Sequence, residues 1–222
     1  MKLIVGSDFH GNEVMVERFA ARAEEEHAEV MLICGDITNF GTLREATYLL
    51  SLFTRSRIPV LFVPGNCDPP SLSGVDLEGV RSLHGKTASY EGFSFLGIGG
   101  SPPTPFRTPF EMGEEQIMAE LNQASKGLVN DQKLILLSHA PPRDTQLDRT
   151  RFHLHVGSVS IRKFIEDKRP FLVFCGHIHE AKGKDRIRDT IIVNPGPARD
   201  GDYVLVHLLR DDIDIEFNSL IK

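Results

Sequence analysis

KLIVGSDFH, residues 2–10, sets an apolar run of strand length directly before Asp8 and His10. The run is too short for a helix and ends in Gly6 and Ser7, so it reads as a buried strand delivering two polar side chains. Four further runs repeat the form: VMLICG leads to Asp36, VLFVPG to Asn66, KLILLS to His139, and FLVFCG to His177 and His179. Between the first three lie segments of helical period. Residues 12 to 28 carry Val14, Val16, Phe19, Ala20 and Ala23, and residues 42 to 55 carry Leu43, Ala46, Leu49, Leu50 and Phe53. The order β-α-β-α-β predicts a parallel sheet covered by helices, an α/β fold.

Further along, Val75 to Val80, Thr87 to Tyr90 and Phe93 to Ile98 read as short strands separated by glycines, antiparallel and opening a second sheet layer. A proline-rich loop, 101 to 112, precedes a helix over 113 to 126 and a strand over 133 to 137. Residues 140 to 156 read as irregular, 157 to 168 as helix and 171 to 175 as a buried strand. Strands at 190 to 193, 203 to 209 and 212 to 217 close the chain. With no repeat, linker or low-complexity tract, residues 1–222 are expected to form a single domain.

Composition excludes several classes. With 41% hydrophobic and 25% charged residues the chain is an ordinary globular protein and not a disordered one. Its 25 Lys plus Arg against 31 Asp plus Glu give a net charge of −6, so no global basic field exists to hold nucleic acid, and sustained binding of that kind is not expected. No apolar run approaches the ~20 residues that span a bilayer, and the N-terminus lacks a signal-peptide pattern. Cys34, Cys67 and Cys175 are an odd, widely spaced set without CxxC, which suits a reducing compartment. The expectation is a cytoplasmic protein with no membrane association; homo-oligomerisation is left open.

In α/β sheets the functional crevice lies beyond the carboxyl ends of the strands. Five strands that each end on a potential ligand therefore direct Asp8, His10, Asp36, Asn66, His139, His177 and His179 to one rim. Two carboxylates, an amide oxygen and four imidazoles are enough for two metal ions, and mixed oxygen and nitrogen donors suit Mn²⁺, Fe²⁺ or Zn²⁺. Two divalent cations and two carboxylates would leave a site of about +2, which favours an anion such as a phosphate ester.

Asp8-x-His10, Gly35-Asp36, Gly65-Asn66, Ser138-His139 and Gly176-His177-x-His179 resemble, in that order, the signature of the calcineurin-like metallophosphoesterases. The longer stretches Pro64-Gly-Asn-Cys-Asp68, Ser138-His-Ala-Pro-Pro142, His155-Val-Gly-Ser158, Gly176-His-Ile-His-Glu180 and Asn194-Pro-Gly196 are similar to the small Icc-related branch. The resemblance implies a four-layer α/β/β/α sandwich with a two-metal site. By the family pattern, Asp8, His10, Asp36 and His179 would hold one metal and Asn66, His139 and His177 the other. Asp36 would bridge, and a hydroxide between the metals would attack phosphorus. Mn²⁺ is the leading candidate, with Fe²⁺, Zn²⁺ and Ni²⁺ as alternatives.

The family commonly has His after this Asn, to assist the leaving group, and here the position is Cys67. A thiol with a pKa of about 8.5 is a neutral, weak donor at pH 7, so esters with good leaving groups are favoured. Asn66, Cys67 and His155 form the candidate catalytic group, with His155 or His153 as substitute proton donor. Arg143 and Ser158, in the segment after His139, are candidate substrate contacts, Arg143 as a bidentate phosphate clamp. His27, His84 and His207 are assigned ordinary surface or core roles. The 101 to 112 loop, with Phe106, Arg107 and Phe110, could wall the substrate or contact another subunit, and the basic run Lys182, Lys184, Arg186 and Arg188 reads first as a solvated face. The expected activity is hydrolysis of phosphodiesters or small activated phosphate esters. A nuclease or cyclic-nucleotide phosphodiesterase of the same fold, and a non-catalytic metal-binding scaffold, are the alternatives.

Overall fold

The computed structural model describes residues 1–129, 132–209 and 212–221. In chain order its elements begin with β1 (Lys2–Gly6), α1 (Glu13–Glu25), β2 (Val30–Ile33), α2 (Leu43–Phe53), β3 (Val60–Phe62), β4 (Asp76–Leu77), β5 (Val80–Ser82), β6 (Thr87–Tyr90) and β7 (Phe93–Ile98). There follow α3 (Glu114–Ser125), β8 (Lys133–Ser138), α4 (Val159–Lys168), β9 (Leu172–Phe174), β10 (Gly183–Ile187), β11 (Thr190–Asn194), β12 (Asp202–Leu208) and β13 (Ile213–Ser219).

Two sheets form, ordered β13-β12-β1-β2-β3-β5-β4 and β10-β11-β9-β8-β7-β6. Strands β1, β2, β3 and β5 run parallel, as do β7, β8, β9 and β11. The apolar runs are continuous because both faces of each central strand are buried. On β1, Leu3 and Val5 face the space between the sheets, with Leu32, Ile135 and Phe174, whereas Ile4 packs with Phe19 of α1 and Phe53 of α2. On β8, Leu136 turns the other way, to Ile117 of α3 and Phe164 of α4. Three apolar slabs between four layers give the α/β/β/α sandwich expected from the resemblance.

Local caps fix the helices. The Asn12 side chain accepts from Met15 N–H at the start of α1, and Thr42 and Glu45 form a reciprocal capping box on α2. Three details depart from expectation. Gly79, at φ 79°, turns the chain inside the expected Val75–Val80 strand, so β4 and β5 form a hairpin. That hairpin extends the first sheet, with β5 parallel to β3, and the second sheet begins only at β6. Strand β10 has no counterpart among the strands expected from sequence: as an edge strand it buries little, and Lys184, Asp185 and Arg186 mask its period. Val14, expected on the buried side of α1, is 54% exposed, and Met15 is buried in its place.

Candidate metal centre

The carboxyl ends of β1, β2 and β3 in one sheet meet those of β8 and β9 in the other. Backbone bonds tie the five loops together: Asp8 N–H donates to Gly35 O at 2.9 Å, His10 N–H to Asp36 O at 2.8 Å, and Gly176 N–H to His139 O at 2.9 Å. His177 N–H reaches Asp8 Oδ2 at 3.1 Å and Cys67 N–H reaches Asp36 Oδ1 at 2.8 Å. Asp8, His10, Asp36 and His177 all adopt left-handed backbone, with φ of 59°, 46°, 51° and 69°. This conformation is uncommon outside glycine and tolerated best by Asp, Asn and His. It turns each side chain back from the strand axis toward the rim, at a cost that surrounding structure must hold in place.

Two glycines allow the approach. A Cβ on Gly65 would collide with the Asp36 carboxylate and backbone, and one on Gly176 with Ser7 Oγ and Asp8. The glycine preceding a ligand therefore makes room for the ligand of a neighbouring strand.

The donors converge. His179 Nε2 lies 3.2 Å from both Asp8 Oδ1 and His10 Nε2, and His10 Nε2 is 3.6 Å from Asp36 Oδ2. His139 Nε2 is 2.8 Å from Asn66 Oδ1 and 3.5 Å from Asp36 Oδ1. The His139 and His177 rings lie edge to face with centroids 5.0 Å apart. Asp8, His10 and His179, and likewise Asp8, Asp36 and His139, offer ligand atoms mutually within 4.8 Å. Asp8, Asp36, Asn66 and His139 are buried, and buried His10 Nδ1 has no hydrogen-bond partner among the described residues. Two imidazole nitrogens facing each other beside two buried carboxylates form a donor set that fits divalent cations.

Electrostatics agree with that fit. Burial and the nearby Asp8 and Asp68 carboxylates push Asp36 up to about 7, against the pull of His139. Burial alone would raise Asp8 too, but the His179 hydrogen bond and the charges of His139 and His179 together outweigh it and hold the carboxyl below its usual range. Burial holds His10 down at about 4, and burial with the neighbouring His139 holds His177 at about 3. Neutral imidazoles are the form that binds metal.

Cys67 sits against this set, with Sγ, a His10 nitrogen and an Asp36 oxygen mutually within 4.8 Å. Burial and Asp36 push its thiol far above the ordinary range, so it remains neutral. His155 is 35% exposed, and its Nδ1 lies 2.7 Å from Oδ1 of fully buried Asp148. The turn holding Asp148 packs against the 179–181 turn, and Arg151 N–H donates to Glu180 Oε1 at 2.9 Å. Asp148 thus holds the imidazole within a segment that packs against the loop bearing His179. Arg143 is exposed, with Asp144 3.9 Å away, and His153 occupies the tip of the same segment at φ 62°.

Ser158, a candidate substrate contact, has its hydroxyl engaged within the fold. It is fully buried, caps α4 by accepting Ile161 N–H at 3.1 Å, and donates to Glu114 Oε2 at 2.7 Å. His84 likewise is structural, bonded to Glu120 at 2.7 Å and accepting Gly99 N–H at 2.9 Å. The 101 to 112 loop runs beside the centre, where Phe110 N–H donates to Asn66 O at 3.0 Å, and it leaves Phe106 exposed.

Two residues escape the sequence reading. Buried Asp68 accepts from Ile37 N–H, Thr38 N–H, Thr38 Oγ1 and Gly65 N–H at 2.7 to 3.1 Å, pinning the Asp36 loop to the Asn66 loop. Its signal is its place in Gly-Asn-Cys-Asp. Arg199, after the Asn194-Pro-Gly-Pro197 turn, places Nη2 3.2 Å from His179 Nδ1. Nothing in its local sequence marks it.

Comparison with known proteins gives the setting. The profile of the calcineurin-like phosphoesterase superfamily domain matches residues 1–208. A protein of Methanocaldococcus jannaschii described as uncharacterized protein MJ1162 is 40% identical over 201 residues, covering 89% of this chain and 88% of the relative. TT1561 of Thermus thermophilus superposes with a TM-score of 0.77 at 19% identity, over 99% of this chain and 98% of the other. A dimetal phosphatase from Danio rerio gives 0.71 at 11% identity, over 100% and 97%. At these identities the structural likeness is one of fold.

Proposed function

The chain belongs to the calcineurin-like phosphoesterase superfamily, and on that footing we propose that it is a dinuclear metal-dependent phosphoesterase hydrolysing phosphodiesters or small activated phosphate esters. The observation that carries the reading is the meeting of Asp8, His10, Asp36, Asn66, His139 and His179, with His177 beside them, at the ends of five strands from two sheets. Asp8, His10, Asp36 and His179 would hold one metal, Asn66, His139 and His177 the other, with Asp36 between them. Mn²⁺ suits this donor set, as do Fe²⁺, Zn²⁺ and Ni²⁺. When bound, the metals would supply Lewis acidity toward the phosphoryl oxygens and lower the pKa of water.

The remaining chemistry belongs to the chain. Cys67, kept neutral, brings no positive charge to the leaving oxygen, so alkoxide leaving groups go unaided there and activated esters are favoured. His155 is our candidate proton donor: in its imidazolium form Nδ1–H would bond Asp148 Oδ1 and Nε2–H would donate to the leaving oxygen. Arg143 remains a candidate phosphate contact.

Metal-stripped protein refilled with Mn²⁺ is to be assayed on bis-p-nitrophenyl phosphate and p-nitrophenyl phosphate beside Asp36→Asn. Diester cleavage that needs metal and drops roughly a hundredfold or more in the variant is the expected result. Metal-dependent turnover that survives Asp36→Asn rules the assignment out.

A further inference from the structure

Arg199 is fixed at its backbone and half-exposed beyond it. Its N–H donates to Asp8 O at 3.1 Å and its carbonyl accepts from Asn12 Nδ2 at 3.2 Å, so the short 198–200 turn is fastened to the end of β1 and to the cap of α1. Its side chain is 41% exposed, and its nearest carboxylate is Asp200, 3.8 Å away on the same turn. The guanidinium meets the centre at one point, Nη2 to His179 Nδ1 at 3.2 Å.

That contact sets a guanidinium, anchored by its backbone to the end of β1, directly beside a candidate metal ligand and open to solvent on its other side. A planar cation there, with no strong carboxylate partner, matches the geometry of phosphate oxygens.

We infer that Arg199 is a phosphate-binding residue that clamps the non-bridging oxygens of the ester and supplies the positive charge that Cys67 lacks. The inference rests on the phosphoesterase reading and assigns that site an anion-binding arm of its own.

Wild type, Arg199→Gln and Arg199→Lys are to be stripped, refilled with Mn²⁺ and analysed for bound metal, after which titration calorimetry measures the affinity of each for inorganic phosphate. Unchanged metal content in all three, with phosphate binding weakened roughly ten- to a hundredfold in Arg199→Gln and less in Arg199→Lys, is the expected pattern. Equal phosphate affinity in all three overturns the inference. So does loss of metal from Arg199→Gln, which would make Arg199 a support for His179. If the wild type takes up metal and hydrolyses diesters while either of those results holds, only the role of Arg199 falls. If the wild type binds no metal, the phosphoesterase reading falls first.

Discussion

The carboxylate of Asp68 satisfies three buried backbone N–H groups and the Thr38 hydroxyl, and truncation would leave them without acceptors. Asp68→Ala should cost about 3 kcal/mol of stability, read from urea denaturation of metal-free protein. It should also weaken metal retention, because the loops bearing Asp36 and Asn66 lose their common anchor. Asp68 is marked in the sequence only by its place in Gly-Asn-Cys-Asp and Arg199 by nothing local, since an acid or a base in a turn is commonplace and their importance lies in what approaches them from elsewhere in the chain. Asp8, Asp36, Asn66, His139 and His177 are legible because type and place coincide: each stands where an apolar run ends, and a metal needs those chemistries at that spot.

Elements with two buried faces or a clear helical stripe were legible, and those with one weak face were not. The five central strands and all four helices appear near their expected positions. Strand β10 and the β4–β5 hairpin lie at sheet edges, where short length and charged residues erase the hydrophobic period. Ser158 shows a role that the sequence does not separate from substrate contact. A serine after a catalytic segment and a serine capping a helix look alike in sequence, and only burial separates them. Ser158→Ala is expected to lower stability by about 1 to 2 kcal/mol through loss of the α4 cap. Its KM for a diester should match wild type, and steady-state kinetics beside thermal melts check both statements.

Across the full chain, the centre makes the metal-free protein sensitive to acid. Unfolded imidazoles titrate near 6.5, while folded His10 and His177 stay neutral down to about 4 and about 3. As the pH falls from 6 to 4 the unfolded chain binds protons that the folded chain refuses, so stability falls. Asp36 works in the opposite sense: its folded value of about 7 lies above the unfolded 3.8, so its contribution is present in acid and lost as the pH rises through 7. Two imidazoles outweigh one carboxyl in the window from 6 to 4. The urea midpoint of stripped protein should therefore decline over that window. At pH 8, Mn²⁺ at a hundredfold its dissociation constant should add about 2.7 kcal/mol of stability per site.

The strand order carries a consequence for biosynthesis. Strand β1, which delivers Asp8 and His10, is flanked by β2 on one side and by β12 on the other, and the imidazoles of His139, His177 and His179 come from the later half of the chain. A chain made only through β7 would carry Asp8, His10, Asp36 and Asn66 on a sheet in which β1 still lacks its β12 neighbour. The full set of seven candidate ligands thus exists only once the chain has been made through His179, late in synthesis.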